Sequence, residues 1–115
     1  MHELSIATQM IEVISEHLSE YPDSRVDSVL MAVGEYSGVD PESLRMVFPL
    51  AAEGTLVEGS ELIIKTVPSS IKCSDCGAGA EEIGILQCPQ CGSINLELAT
   101  GNELEIISFD IIQKE

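Results

Sequence analysis

The chain has 115 residues, of which 44% are apolar and only 3% aromatic, and its formal net charge at pH 7 is −15. This length suits one domain, or one domain with a small satellite, and the apolar fraction is too high for a disordered acidic tail. Because 20 Asp and Glu face only 5 Lys and Arg, the chain would repel nucleic acid and anionic lipid, and neither is an expected partner. No apolar run approaches the roughly 20 residues of a membrane span. No secretory signal is recognised, so we expect a cytoplasmic protein.

The first predicted element is an amphipathic helix over residues 4–21, because its apolar residues recur at spacings of three and four. The predicted buried stripe is Leu4, Ala7, Ile11, Ile14 and Leu18, and one flank of it continues through Ile6, Met10, Val13 and His17. We interpret His17 as a histidine satisfied within the core. Pro22 ends this helix.

The next elements are a strand and a second helix. Residues 26–36 are predicted to form a strand, and residues 29–33 within it are apolar on both faces, which predicts a central position in a sheet. Asp40-Pro41-Glu42 is typical of a helix start, with Asp40 as the N-cap and proline at the first helical position. Gly54 is the predicted C-terminal cap of this helix. The predicted buried stripe of this helix is Leu44, Val47, Phe48 and Ala51.

Two more strands are predicted over residues 61–67 and 104–112. The elements together predict an α+β fold, a small three-stranded sheet packed with two helices, plus an inserted zinc-ribbon module. We assign residues 1–70 with 101–115 to the sheet-and-helix domain and residues 71–100 to the zinc-binding domain.

The inserted segment contains all four cysteines, spaced C-x2-C-x11-C-x2-C, at Cys73, Cys76, Cys88 and Cys91. Two residues between thiolates let one tight turn direct both sulfurs to one ion, and two such turns complete the tetrahedral site that structural zinc prefers. A rubredoxin-like iron site uses the same ligands, and a redox or disulfide role is the weaker alternative. A closed four-thiolate site has no open position for catalysis.

The second candidate metal site is the N-terminus, where His2 lies beside the α-amine. The amine, the imidazole and the amide between them can chelate one ion, and deprotonated amides favour a square-planar ion such as Ni(II) or Cu(II). Glu3 adds a carboxylate. A histidine at position 2 is otherwise most often an ordinary exposed side chain.

Several motifs together resemble the HypA-type nickel metallochaperones, which serve nickel–iron hydrogenase maturation. They are Met1-His2-Glu3-Leu4-Ser5, Val33-Gly34-Glu35 followed by Asp40, Glu53-Gly54-Thr55, the two C-x-x-C pairs and Gly101-Asn102-Glu103-Leu104. The resemblance covers nearly the whole chain. It implies nickel at His2, with Glu3 and Asp40 as supporting ligands, and structural zinc at the four cysteines.

The same resemblance implies a function. The protein would deliver Ni(II) during hydrogenase maturation without performing a chemical conversion, so no catalytic residue is assigned. Its implied partners are a maturation GTPase, the hydrogenase large subunit and a second copy in a homodimer. Because residues 71–100 contain no histidine, a pH-switched zinc site of urease-linked relatives is not expected, and hydrogenase is the expected client. The alternative is a zinc-ribbon protein-interaction module without a nickel role.

Overall fold

The computed structural model describes residues 2–80 and 86–113, and in this part of the chain two helices accompany two three-stranded sheets. The helices are α1 (Glu3–His17) and α2 (Pro41–Ala52). The strands are β1 (Ser24–Gly34), β2 (Glu61–Val67), β3 (Ser70–Cys73), β4 (Gly79–Ala80), β5 (Leu96–Thr100) and β6 (Leu104–Gln113). The molecule is elongated, with extents of 61 × 25 × 17 Å. The α+β prediction is confirmed.

The first sheet has the strand order β2-β1-β6. Strand β1 runs parallel to β2 through the α2 crossover and antiparallel to β6. The predicted central position of β1 is therefore confirmed. The second sheet, in the order β4-β3-β5, is inserted in the chain between β2 and β6.

One hydrophobic cluster joins α1 and α2 to one face of the first sheet. Its largest fully buried members are Phe48, Ile14, Met31, Leu44, Val29, Val33 and Val57. Full burial of one such side chain contributes about 1.5–3 kcal/mol to folding. The cluster therefore holds both helices against β1 without help from the second sheet.

Helix α1 departs from its prediction in length and in its exposed flank. It begins at Glu3 and ends at His17, where the Leu18 amide closes the last turn on the Ile14 carbonyl at 3.1 Å. Leu4 and Val13 are 51% and 45% exposed, although the pattern placed both against the core.

The interpretation of His17 as a core histidine is wrong. Its side chain is exposed, with Nδ1 2.9 Å from the Val13 carbonyl and the ring edge-on to Phe109 at 6.4 Å between centroids. The physical reason is the position of this flank of α1. It lies over β6, the last strand of its sheet among the described residues, and the sheet does not extend far enough to cover it.

The other elements agree more closely with their predictions. Asp40 caps α2 through its Oδ1, which accepts the Glu42 amide at 3.3 Å, and Gly54 adopts a positive φ of 78° after the helix. Helix α2 buries Leu44, Phe48 and Ala52, whereas the predicted Val47 and Ala51 are half-buried. Strand β1 lies two residues earlier than predicted, because the chain turns after Gly34.

The two sheets meet at a close crossing of three chain segments, which we call the junction: Gly34-Glu35, Ser69 and Gly101. The Glu35 carboxylate accepts the Ser69 amide at 2.9 Å and the Ser69 hydroxyl at 2.6 Å, and these bonds lower the pKa of Glu35. A Cβ on Gly34 would lie 2.2 Å from backbone atoms of Gly101. Glycine at position 34 is therefore required for the segments to approach this closely.

Candidate metal centres

The four cysteines lie on two turns of matching geometry. In the first turn the Gly77 amide donates to the Cys73 carbonyl at 3.0 Å, and in the second the Gly92 amide donates to the Cys88 carbonyl at 2.9 Å. Both glycines have positive φ, 79° and 75°, which an L side chain rarely adopts. Each C-x-x-C-G motif thus folds its chain back so that both of its sulfurs point the same way.

The sulfurs of the two turns converge. The Sγ atoms of Cys73 and Cys91 are 3.6 Å apart, those of Cys76 and Cys88 are 3.5 Å apart, and all four lie within 4.8 Å of one another. A tetrahedral zinc site with 2.3 Å bonds requires sulfur–sulfur distances of about 3.8 Å. All four cysteines are free, and among residues 2–80 and 86–113 no other group of three or more ligating side chains is this tight. The donor set and spacing fit one tetrahedral ion.

The thiols of this cluster differ in acidity. Backbone amides of Cys91 and Gln90 donate to the Cys88 sulfur and lower the pKa of Cys88 to about 6, and the Cys76 amide likewise lowers that of Cys73. The Ser93 amide favours the Cys91 thiolate, but desolvation and the neighbouring sulfurs outweigh it and raise the pKa of Cys91 to about 12. Four thiolates cannot share this volume without a cation, so the cluster is suited to bind one.

Asp75 joins the two cysteine turns, and the sequence analysis did not identify it. Its Oδ2 accepts the Ser93 hydroxyl and, at 3.0 Å, the Asn95 side-chain amide. These bonds lower the pKa of Asp75. A carboxylate between the first two cysteines and hydroxyl and amide side chains just after the last pair was the available signal.

The N-terminal candidates come from two different elements. His2 is exposed and precedes α1, and its carbonyl accepts the Ile6 amide at 3.2 Å. The half-buried Glu3 reaches across to α2, where its Oε2 accepts the Asp40 amide at 3.4 Å. The tertiary fold therefore brings Asp40, distant in sequence, to Glu3, whereas the side chains of His2, Glu3 and Asp40 do not form a tight ligating group in the described part of the chain.

The Asp40 carboxylate already caps the start of α2. Its Oδ1 accepts the Glu42 amide and its Oδ2 accepts the Ser43 hydroxyl at 2.7 Å. Each carboxylate oxygen can accept a second partner, so capping and metal contact are compatible. The α-amine of Met1, part of the predicted chelate, lies outside the described residues.

No helix among the described residues is long and apolar enough to cross a membrane.

Residues 1–111 match the sequence model of the family described as HypA, hydrogenase/urease nickel incorporation, metallochaperone. Proteins named hydrogenase maturation factor HypA are similar: that of Streptomyces avermitilis is 38% identical, covering 94% of this chain and 85% of the relative. That of Aquifex aeolicus is 36% identical, covering 96% and 97%.

Two solved structures of similar proteins have the same fold as this chain. A solution structure of a HypA protein superposes with a TM-score of 0.78 at 25% identity, covering 99% of this chain and 98% of that one. The solution structure of the Ni metallochaperone HypA from Helicobacter pylori gives 0.71 at 25% identity, covering 99% and 100%.

Proposed function

Because this chain belongs to the HypA family of nickel-incorporation metallochaperones, we propose that it captures Ni(II) at His2 and delivers it during maturation of nickel–iron hydrogenase. The observation that supports the proposal is the contact between the Glu3 carboxylate and the Asp40 amide, which joins the start of α1, next to His2 in the chain, to the start of α2. The His2 imidazole is exposed, so that both a free ion and a recipient protein can reach it. Glu3 and Asp40 would support the ion from the folded domain.

The four cysteines would hold a structural zinc ion, with residues 71–100 as the zinc-binding domain and residues 1–70 with 101–115 as the nickel-binding domain. The near-tetrahedral sulfur distances support this, as does the donation of backbone amides to Cys88. When bound, zinc would supply cross-linking between the two cysteine turns. An iron ion would use the same ligands but would colour the protein red, whereas zinc protein is colourless.

The remaining assignments follow from family membership. Members named maturation factors act with other maturation proteins, and we propose that the partners are a maturation GTPase, the hydrogenase large subunit and a second copy in a homodimer, all in the cytoplasm. The function would be binding and ligand exchange without a chemical conversion. Since residues 71–100 contain no histidine, we propose hydrogenase rather than urease as the client.

A nickel titration of protein that retains Met1 as its first residue tests the proposal. His2→Ala is expected to abolish tight Ni(II) binding, while zinc content and melting temperature stay at the parent values, since His2 is exposed. His17→Ala is the matched control, because the other histidine of the chain is also exposed but lies in the last turn of α1, far along the helix from His2. Equal Ni(II) affinity in the His2→Ala and parent proteins would refute the nickel assignment. The alternative, a zinc ribbon for protein interaction alone, would then be favoured.

A further inference from the structure

An open apolar groove runs between α1 and β6, with a volume of about 350 Å³. Ile6, Met10 and Val13 form one wall, Leu104 and Ile106 the other, and the buried Met31 the floor. Val13 is 45% and Leu104 36% exposed, so the walls present apolar surface to solvent. This volume holds side chains rather than a single water, which occupies about 30 Å³ in the liquid. We call this feature the α1–β6 groove.

The groove lies along an unpaired strand edge. Strand β6 pairs with β1 on one side, and within the described residues no strand pairs with its other side. With 10 residues and no proline, β6 offers a long row of backbone donors and acceptors. Such an edge is a template for an added strand, whose main chain would pair with β6 while alternate side chains entered the groove.

The charged residues of β6 determine which side chains an added strand would need on its other face. Glu105 pairs with Ala32 and Asp110 with Ser28, and these β1 residues alternate with Val29, Met31 and Val33 of the hydrophobic cluster. Both carboxylates therefore lie on the face of the sheet away from α1. None of the residues that line the groove is basic. A strand with Lys or Arg at alternate positions would complement this face.

A second copy of this chain does not fit this edge. Pairing β6 with β6 of a second molecule would bring Glu105 and Asp110 close to the same carboxylates of the partner copy. Like charges on paired strands are destabilising, and each chain carries a formal charge of −15. The occupant must instead bring positive charge.

We propose that the β6 edge and the α1–β6 groove bind an extended segment of another protein, in which apolar residues alternate with Lys or Arg. The apolar residues enter the groove, and the basic residues lie over Glu105 and Asp110. Ile6, at one end of the groove, is one helical turn from His2. The bound segment would therefore end beside the proposed nickel site, although its binding does not depend on nickel.

The test uses the full-length, metal-loaded protein and a short capped peptide of alternating Val and Lys, with affinity measured by fluorescence anisotropy. A peptide of the same composition, with the Val residues in one block and the Lys residues in another, controls for charge alone. Val13→Lys places a charge in the groove and is expected to weaken binding of the alternating peptide by about tenfold or more. Thr8→Lys is the matched control, because Thr8 is also exposed, lies on the other side of α1 and changes the net charge equally.

A second variant keeps the test independent of Val13. Glu105→Gln removes one exposed carboxylate from the proposed site and is expected to weaken binding more than Glu97→Gln, an equal charge change on β5. Bound peptide is also expected to slow amide hydrogen exchange along β6. Nickel affinity of Val13→Lys is expected to equal that of the parent, which separates this inference from the proposed nickel function.

Three results would overturn the proposal. The first is equal affinity for the alternating and block peptides, which would mean that net charge alone accounts for the interaction. The second is equal loss in Val13→Lys and Thr8→Lys, or in Glu105→Gln and Glu97→Gln. The third is no binding of the alternating peptide by the parent protein.

Discussion

The junction between the two sheets makes a sharp prediction about Gly34→Ala. The added Cβ would lie 2.2 Å from both the carbonyl carbon and the carbonyl oxygen of Gly101. Ordinary contact begins near 3.5 Å, so the two segments must separate by about 1 Å. Both atoms belong to the backbone, and therefore no side-chain rotation can relieve the overlap.

The cost follows from the hydrogen bonds that this separation stretches. The Gly34 amide donates to the Glu103 carbonyl and the Tyr36 amide to the Gly101 carbonyl, each at 2.6 Å. A net contribution of about 1 kcal/mol for each of the two bonds, and about 1–3 kcal/mol for a buried group left unpaired, gives a loss of about 3–5 kcal/mol. Domains of this size are stable by about 5–15 kcal/mol, so the melting temperature should fall on the order of 10 °C.

Thermal unfolding of zinc-loaded protein is the assay, with Gly79→Ala as the control. Gly79 has no positive φ, and its added Cβ would contact only the Ile71 carbonyl oxygen, at 3.7 Å. We expect Gly79→Ala to stay within about 0.5 kcal/mol of the parent. Equal melting temperatures for the two variants would show that the junction yields without cost, and the steric argument would be wrong.

Three further predictions concern the metal, the core and pH. Cys76→Ala should lose its zinc by metal analysis, because structural zinc contributes about 10 kcal/mol or more through a complete ligand set, while the helical circular dichroism persists with a lower melting temperature. Retention of tightly bound zinc would contradict the four-thiolate site. Ile11→Asp, at a side chain 5% exposed, should cost several kcal/mol, and Glu12→Ala about 0.5 kcal/mol at most; similar melting temperatures would refute the helical phase. The pKa of Glu35 lies below its ordinary value of 4.5, so its stabilisation is present above that pH and is lost as pH falls through the lowered pKa. The melting temperatures of parent and Glu35→Gln should therefore differ at neutral pH and converge in acid; a constant difference would contradict this.

Elements with local signals were predictable from the sequence. The Asp40-Pro41 helix start and strand β2 at 61–67 occur as predicted, because a cap, a proline and a bounded apolar run act within a few residues. The short strands within 71–100 were missed, since their backbone follows the cysteine turns rather than an apolar period. The exposed flank of α1 was also missed, because whether Val13 is covered depends on where the sheet ends.

The candidate metal sites also differ in how far local sequence signals predict them. The cysteine cluster was predictable because its spacing is local and the ligand chemistry is restrictive. The contact between Glu3 and Asp40 required the packing of α1 against α2, which no local pattern encodes. Asp75 was overlooked because its hydrogen-bond partners follow the second cysteine pair and reach it only in the folded ribbon.

The insertion of the second sheet between β2 and β6 has a consequence for the order of folding. Strand β6 can join β1 only when the chain over residues 68–103 has closed into a loop, at an entropic cost of about 3 kcal/mol for a flexible chain of this length. The folded ribbon shortens that loop, because β3 and β5 hold Ser70 against Thr100. An ion bound by the four cysteines would stabilise the folded ribbon and so lower the entropy cost of completing the first sheet. The same ion would therefore favour pairing of β6, the strand that forms one wall of the α1–β6 groove.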